Sequence, residues 1–403
     1  MRLLRLSLRN LTRNKRRTLL TALAIAFGAF AVVLLEGFVN AFARNVIEAS
    51  VLGKVGAMQV FRQGYIGSDD PLKLMLPQDP ALVSRIRAVP GVTEVAPRLD
   101  FDGMISNGSQ ATMFVATAVD PIVEYRVCPR RASSVAPGSR PLGPADDDSA
   151  LIGKTLADAL GAAPGSSLVM QAGGAHAGTN ALDVAVSGFL PNYHPTESKR
   201  GATVTLAFAQ RLLRAPGLVT EYVVAVSELE RVEKVADAVR AALGAGYQVT
   251  TWQDLDPRTR DRAKLLRIVL RFITVVLCLL VATGIVNTMM MSVHERVREI
   301  GTMLAVGVRR RQVTALFLWE AIALGFLSAL TGTAAGWALV RAIGRHGLVA
   351  HPPGSDVIVV YPGVSAGFLL LVLGFSVLGA VMAALYPAWT AARLRPVQAL
   401  RAT

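Results

Sequence analysis

Residues that carry chemistry are scarce in this sequence. It has two cysteines in 403 residues, Cys128 and Cys278. The second lies inside an apolar run, so no internal disulfide and no disulfide framework are expected. The five histidines, His176, His194, His294, His346 and His351, show no helical or CxxC-type ligand spacing, which excludes a conventional zinc site. Gly153-Lys154-Thr155 ends like a phosphate-binding loop, but Asp148 stands where the first glycine of that cradle belongs. Asp146-Asp147-Asp148 sits among Gly, Pro and Ser and reads as solvated acid rather than a cation site. Ser187-Gly188 lacks the nucleophile-elbow spacing. No enzyme, cofactor or metal site is expected in this chain.

Acid is scarce as well, but only in part of the chain. Residues 43–262 hold 22 Lys/Arg against 23 Asp/Glu, whereas all other residues hold 20 against 5. The net charge of +14 therefore gathers beside the apolar runs. That is a topology signal, and it removes the folded basic face that nucleic-acid binding needs.

Apolar residues make up 52% of the chain, which calls for membrane spans together with a soluble domain. Four runs approach the roughly 20 residues that cross a bilayer: 18–43, 265–291, 313–340 and 364–386. Residues 1–17 carry seven Lys/Arg and no acid, interleaved with leucines, as in an amphipathic helix on an anionic leaflet. Ala41-Phe42-Ala43 resembles a signal-peptide cleavage site, but the apolar core is longer than a usual h-region, so an uncleaved anchor is the reading. The 292–312 loop carries five arginines and the tail 387–403 three, while 341–363 carries two near its start. Both termini and the 292–312 segment are thus expected in the cytoplasm of a multi-pass inner-membrane protein. Residues 44–262 and the loop 341–363 are expected outside.

The outer domain reads as α+β. A strand at 57–61, a helix at 80–89 and strands at 91–106 and 111–119 are mirrored by a strand at 222–226, a helix at 229–243 and a strand at 247–252. The two units are expected to share one sheet. Between them, 121–200 reads as a mostly β subdomain with strands at 167–171 and 182–190, and 137–148 as a disordered tip.

The rest of the chain is organised around residues 265–319. Between two apolar spans, Val293, Val297, Ile300 and Leu304 recur at steps of four, three and four, the stripe of one helix face. Glu295, Arg296, Arg298 and Glu299 fall off it, and Gly301 and Gly307 are weak points. A basic connector would have the same composition; the functional reading is a docking element for a cytoplasmic partner. In the next span Gly325, Ala329, Gly332 and Gly336 share a face that allows another helix to approach closely, unless these glycines are merely tolerated against lipid. Glu320, two turns inside that span, must face a partner or water. Glu36 lies nearer the outer end of the first span.

These pieces together resemble the ABC-transporter permease family of the macrolide-exporter, lipoprotein-releasing and cell-division (MacB, LolC/LolE and FtsX-like) membrane subunits. The resemblance rests on Leu8-Arg9-Asn10-Leu11 with Arg16-Arg17-Thr18, on Asn287-Thr288-Met289, and on Glu295-Arg296-x-x-Glu299-Ile300-Gly301. It also rests on Glu320 before the glycine face and on the ending from Pro387-Ala388 through Pro396-Val397 to Leu400-Arg401. The run Met58-Gln59-Val60-Phe61-Arg62-Gln63-Gly64-Tyr65 looks most like the lipoprotein-releasing branch. The resemblance implies four spans, one plus three, with no cofactor on this chain and ATP and Mg used by a separate ATPase dimer. It further implies docking through Glu295, Arg296, Val297, Glu299, Ile300, Gly301 and Leu304, and a second permease subunit, identical or homologous. Lipids and a lipoprotein or its carrier are the implied cargo-side partners. An envelope regulator that activates an outside hydrolase, or an unpowered scaffold, would use the same architecture.

Overall fold

The computed structural model describes residues 15–133, 135–136, 139–174, 178–190, 195–350 and 358–393. The expected amphipathic helix up to residue 14 and the closing motif over 396–401 lie outside these residues. So do His176, His194 and His351. Two compact units result, one of long helices and one a mixed sheet domain formed by 45–263.

Four helices are long and apolar enough to cross a membrane. They run Lys15–Ser50, Pro257–Glu295, Arg310–His346 and Ala366–Ala392. Each extends beyond its apolar run, because a helix stops at caps rather than where hydrophobicity stops. The second starts with Pro257 in its first turn, where the Asp256 carboxylate accepts the Thr259 N–H at 3.1 Å. In the third, the Gln312 side chain accepts the Arg309 N–H at 3.0 Å. The fourth begins at the Ser365 hydroxyl, which accepts the Phe368 N–H at 3.2 Å. It then continues through Pro387, so residues 387–392, expected in the tail, are helical. Proline removes one ladder bond there, but Ala383, Ala384, Ala388 and Ala391 around it are buried and keep that face packed. The expected loop 341–363 shortens to a two-stranded ribbon, Leu348–Ala350 with Ile358–Val360.

The glycine face of the third helix serves two neighbours. A Cβ on Gly325 would lie 2.7 Å from the Cβ of Ala380 on the fourth helix. On Gly332 it would run into the backbone carbonyl of Ala26 on the first, and on Gly336 it would stand 3.0 Å from the Val33 Cβ. Small residues thus let backbones touch where side chains would hold them apart. Ile25, Ala29, Val33, Ala321, Ala329 and Ala384 fill the surrounding core. The Thr21 hydroxyl bonds that of Thr288 on the second helix at 2.8 Å.

In the sheet domain the strands are β1 (Met58–Arg62), β2 (Leu76–Pro77), β3 (Val92–Ser106), β4 (Ala111–Val119), β5 (Ser149–Ile152) and β6 (Ser167–Gly173). They continue as β7 (Thr179–Phe189), β8 (Gly201–Thr205), β9 (Leu218–Val219), β10 (Glu221–Val226) and β11 (Tyr247–Thr251). The order β11-β1-β10-β3, antiparallel throughout, joins the two expected strand–helix–strand units as a split βαβ layer. Helix Val232–Leu243 covers it through Val232, Val235, Ala236, Val239 and Leu243, one stripe at helical spacing. Strand β3 is long enough to serve twice. Beyond β10 it pairs with β4, and the order β4-β8-β5-β7-β6 then returns to β3 through β6, closing a ring of six strands. The 121–200 region is therefore no separate sheet. Its strands complete a barrel whose other half is β3, β4 and β8, with Leu168, Met170 and Ala172 alternating inward. The expected disordered tip also proves ordered where described. Leu142 is buried, Arg140 pairs with Asp146 at 2.5 Å, and Asp148 holds Arg211 at 2.6 Å.

Gly332→Val, read by thermal unfolding in detergent, should lower stability by about 1–3 kcal/mol, the usual cost of overpacking. Gly379→Ala on the fourth helix, where a Cβ meets nothing within 4 Å, should leave the midpoint unchanged. Equal behaviour of the two would mean that the glycine face does not set helix spacing.

Candidate functional site

The turn between the second and third long helices is built from two kinds of helix terminus. The second helix breaks at Arg296, and a short helix, Val297–Ala305, follows. It ends in a Schellman closure: the Gly307 N–H bonds the Leu304 carbonyl at 3.2 Å and the Val308 N–H bonds that of Met303 at 3.0 Å. Gly307 sits at φ +95°, which explains the glycine. The expected 292–312 helix is therefore three pieces, with 292–295 closing the second long helix and 310–312 opening the third.

Ile300 is buried in this chain's own core, with Val293, Val313, Phe317, Ala388 and Ala391, and Met303, Leu304 and Val308 pack at its rim. Gly301 is buried too, and Val297 is half-buried. Periodicity correctly marked a buried face, but that face lies on the third and fourth helices of the same molecule. Glu295, Arg298, Glu299 and Val306 are exposed on the other side. Arg296 turns inward from the break and its guanidinium lies 3.5 Å from the Glu320 carboxylate. Both side chains are largely shielded, at 13% and 7% exposed. The expense of a carboxyl inside a membrane helix is thus offset by a cation from the turn. Sequence reading singled out both residues without joining them, since 24 positions in different elements leave no local signal.

A second constellation lies at the root of the sheet domain, and sequence reading missed it. The first long helix runs into a π-helical turn, Val51–Val55. The last carbonyls of any helix lack partners within it and carry the negative end of its dipole. Here they meet cations. Arg98 donates to the Lys54 carbonyl at 2.5 Å, Arg131 to that of Gly53 at 3.4 Å, and the Cys128 thiol to that of Val51 at 3.4 Å. Gln59 donates to the Val55 carbonyl at 2.9 Å. Glu124, fully buried, binds Arg98 in a fork of 3.0 and 2.5 Å and takes Arg131 at 3.3 Å. Burial alone would raise the Glu124 carboxyl, but Arg98 and Arg131 hold it below the usual range. Nearby, the Ser50 hydroxyl donates to the Asp256 carboxylate at 2.6 Å. Entry to and exit from the domain are thereby tied together. The Asp256-Pro257 pair was the one readable trace of this, as a helix start.

Beside this network on β10, Glu221 is buried among Thr220, Asp100 and Arg98. Burial first, then the charge of Asp100, pushes its carboxyl up to about 8, against the hydrogen bond from Thr220. Among the described residues no group of three or more His, Cys, Asp or Glu could hold a metal ion. Both cysteines are free thiols, Cys128 buried and Cys278 exposed.

Residues 18–242 match the family model of the MacB-like periplasmic core domain, and residues 271–396 that of the FtsX-like permease C-terminal region. A macrolide export ATP-binding/permease protein, MacB, of Bdellovibrio bacteriovorus is 32% identical over 158 residues, 39% of this chain and 23% of that protein. An uncharacterized ABC transporter permease of Methanocaldococcus jannaschii is 27% identical over 54% of each chain. The chain thus spans about half or less of the length of these relatives. The solved periplasmic region of MacB from Actinobacillus actinomycetemcomitans is 10% identical over 53% of this chain and 97% of its own, at a TM-score of 0.37.

The raised Glu221 carboxyl sets a pH dependence of definite sign. The folded state binds its proton more tightly than the unfolded chain, whose ordinary value is 4.5. Its contribution is therefore complete below about 4.5 and is lost as pH rises through 8. Glu221→Gln should raise the melting point of the full chain in detergent more at pH 8 than at pH 5. Equal shifts at both would show that the group is ionised in the fold.

Proposed function

Because the chain belongs to the FtsX-like ABC transporter permeases with a MacB-like periplasmic core domain, we propose that it converts the closing of a cytoplasmic ABC ATPase dimer into movement of its α+β domain. The observation that carries this reading is the two-sided Val297–Ala305 helix. Its apolar face is locked to the third and fourth membrane helices, and its charged face, Arg298 and Glu299, is exposed together with Glu295 at the end of the second helix. A push on the charged face would reach two spans at once. The Arg296–Glu320 pair stiffens the joint from inside. Val297 and Leu304 border the contact, while Ile300 and Gly301 support it from within.

Two copies, identical or homologous, would flank the ATPase pair, with both termini and the docking helix on the cytoplasmic side. The cargo is a lipoprotein or lipid met at the outer leaflet. Engagement of the buried Glu320 by Arg296 supports a route outside the bundle rather than an aqueous path through it.

Arg298→Glu with Glu299→Lys should cut co-purification of the ABC ATPase at least about tenfold, roughly the loss of one charge-assisted contact, with the melting point unchanged. An intact complex with unchanged ATP turnover would sink the docking role. For orientation, a cysteine at Ser109, exposed on the β3–β4 turn, should react in intact cells with a membrane-impermeant maleimide. One at Arg309 should react only after permeabilisation; the reverse pattern would invert the topology.

A further inference from the structure

We propose that the groove where the third long helix begins and the fourth ends binds one anionic phospholipid, its phosphate held by Arg310, Arg311 and Arg393 and an acyl chain laid along Leu318. The groove has a volume of about 360 Å³. Its walls change character with depth along the third helix. Arg310 and Arg311 form the mouth, Thr314 and Ala315 stand one turn further in, and Leu318 another turn beyond. These positions recur at steps of four, so they climb one helix face. From the fourth helix come Trp389 and Arg393, with the guanidinium 3.7 Å over the indole ring.

Charge identifies what the mouth is made for. All three arginines are exposed, and among the described residues none has a carboxylate partner, although Arg296 at the same end does. Nor could the undescribed ends supply one, since residues 1–14 and 394–403 contain no Asp or Glu. The anion must come from outside these segments. Guanidinium forks match phosphate oxygens bidentately, and basic pockets between membrane helices suit lipid headgroups. The apolar inner wall then separates an amphiphile from free phosphate or a soluble nucleotide, neither of which would use Leu318. Trp389 marks the depth at which an indole prefers to sit, between headgroup and hydrocarbon.

Position gives the site a consequence. Val313, Phe317, Ala388 and Ala391, on other faces of the same two helix ends, hold Ile300 of the docking helix. A headgroup bridging Arg310 and Arg311 to Arg393 would pin those ends together, so occupancy would stiffen the seat of the docking helix.

The test uses the full chain in phosphatidylcholine nanodiscs, with brominated phosphatidylglycerol or brominated phosphatidylcholine as quencher. The Trp389 signal is taken as the difference from Trp389→Phe. Half-maximal quenching should need at least about tenfold less of the anionic lipid than of the zwitterionic one. Unlabelled phosphatidylglycerol should reverse it, while unlabelled phosphatidylcholine and millimolar inorganic phosphate should not. Arg310→Gln, Arg311→Gln and Arg393→Gln combined should erase the preference. Equal quenching by both lipids in the parent chain would overturn the proposal and leave the groove to another partner, such as the ATPase. Displacement by inorganic phosphate would overturn the acyl-chain half of it. Both of these readings need only the parent chain and its Trp389→Phe companion, so neither depends on the arginine variants folding.

Discussion

A helix that leaves a membrane must end somewhere, and its last carbonyls must be satisfied when it ends against a folded domain rather than in water. Arg98 and Arg131 meet that requirement here, and much of the surrounding structure follows from it. Arg98, buried, and Arg131, half-buried, need an anion, and Glu124 is held fully buried to supply it. Glu124 in turn fixes the short helix Pro121–Val127 against β3, and the Cys128 thiol at its end reaches the same helix terminus. The result is a π-helical turn, Val51–Val55, whose Val51 and Val55 belong to the sheet domain's core. Displacing that turn would strip hydrogen bonds from buried charges.

The turn after the second long helix solves a related problem with different materials. The carbonyls of its short helix are closed by backbone N–H groups around Gly307, without arginine. Charge has another role there. Arg296 neutralises Glu320 inside the bundle, while Glu295, Arg298 and Glu299 remain outside. The sheet domain thus commits Arg98 and Arg131 to helix carbonyls. In the helical unit Arg310 and Arg311 are exposed.

Much of this was legible in the sequence, for physical reasons that can be named. Span existence follows from long apolar runs, and the split βαβ pairing from two matching strand–helix–strand patterns. The close face of the third helix follows from Gly325, Gly332 and Gly336 at helical spacing. Span ends were less legible, because polar residues do not stop a helix and the caps at Asp256 and Ser365 do. The stripe through Ile300 declared that a face was buried but could not say against what. Ring closure through β6 and β3 depends on a register between strands far apart in the chain, which no local pattern encodes. The 137–148 segment has the composition of a loop, and composition does not distinguish a loose loop from one whose described part, 139–148, is pinned by Leu142 and the Arg140–Asp146 pair.

The bond between Ser50 and Asp256 has a wider meaning for how such a molecule could arise. More than 200 residues leave and return through a doorway one hydrogen bond wide. A segment whose two ends are held side by side can be lengthened, shortened or exchanged without changing the path of the chain on either side. The domain is in that sense a cassette whose two ends meet. Genetic drift within it can explore new recognition surfaces while the paired ends stay where they are.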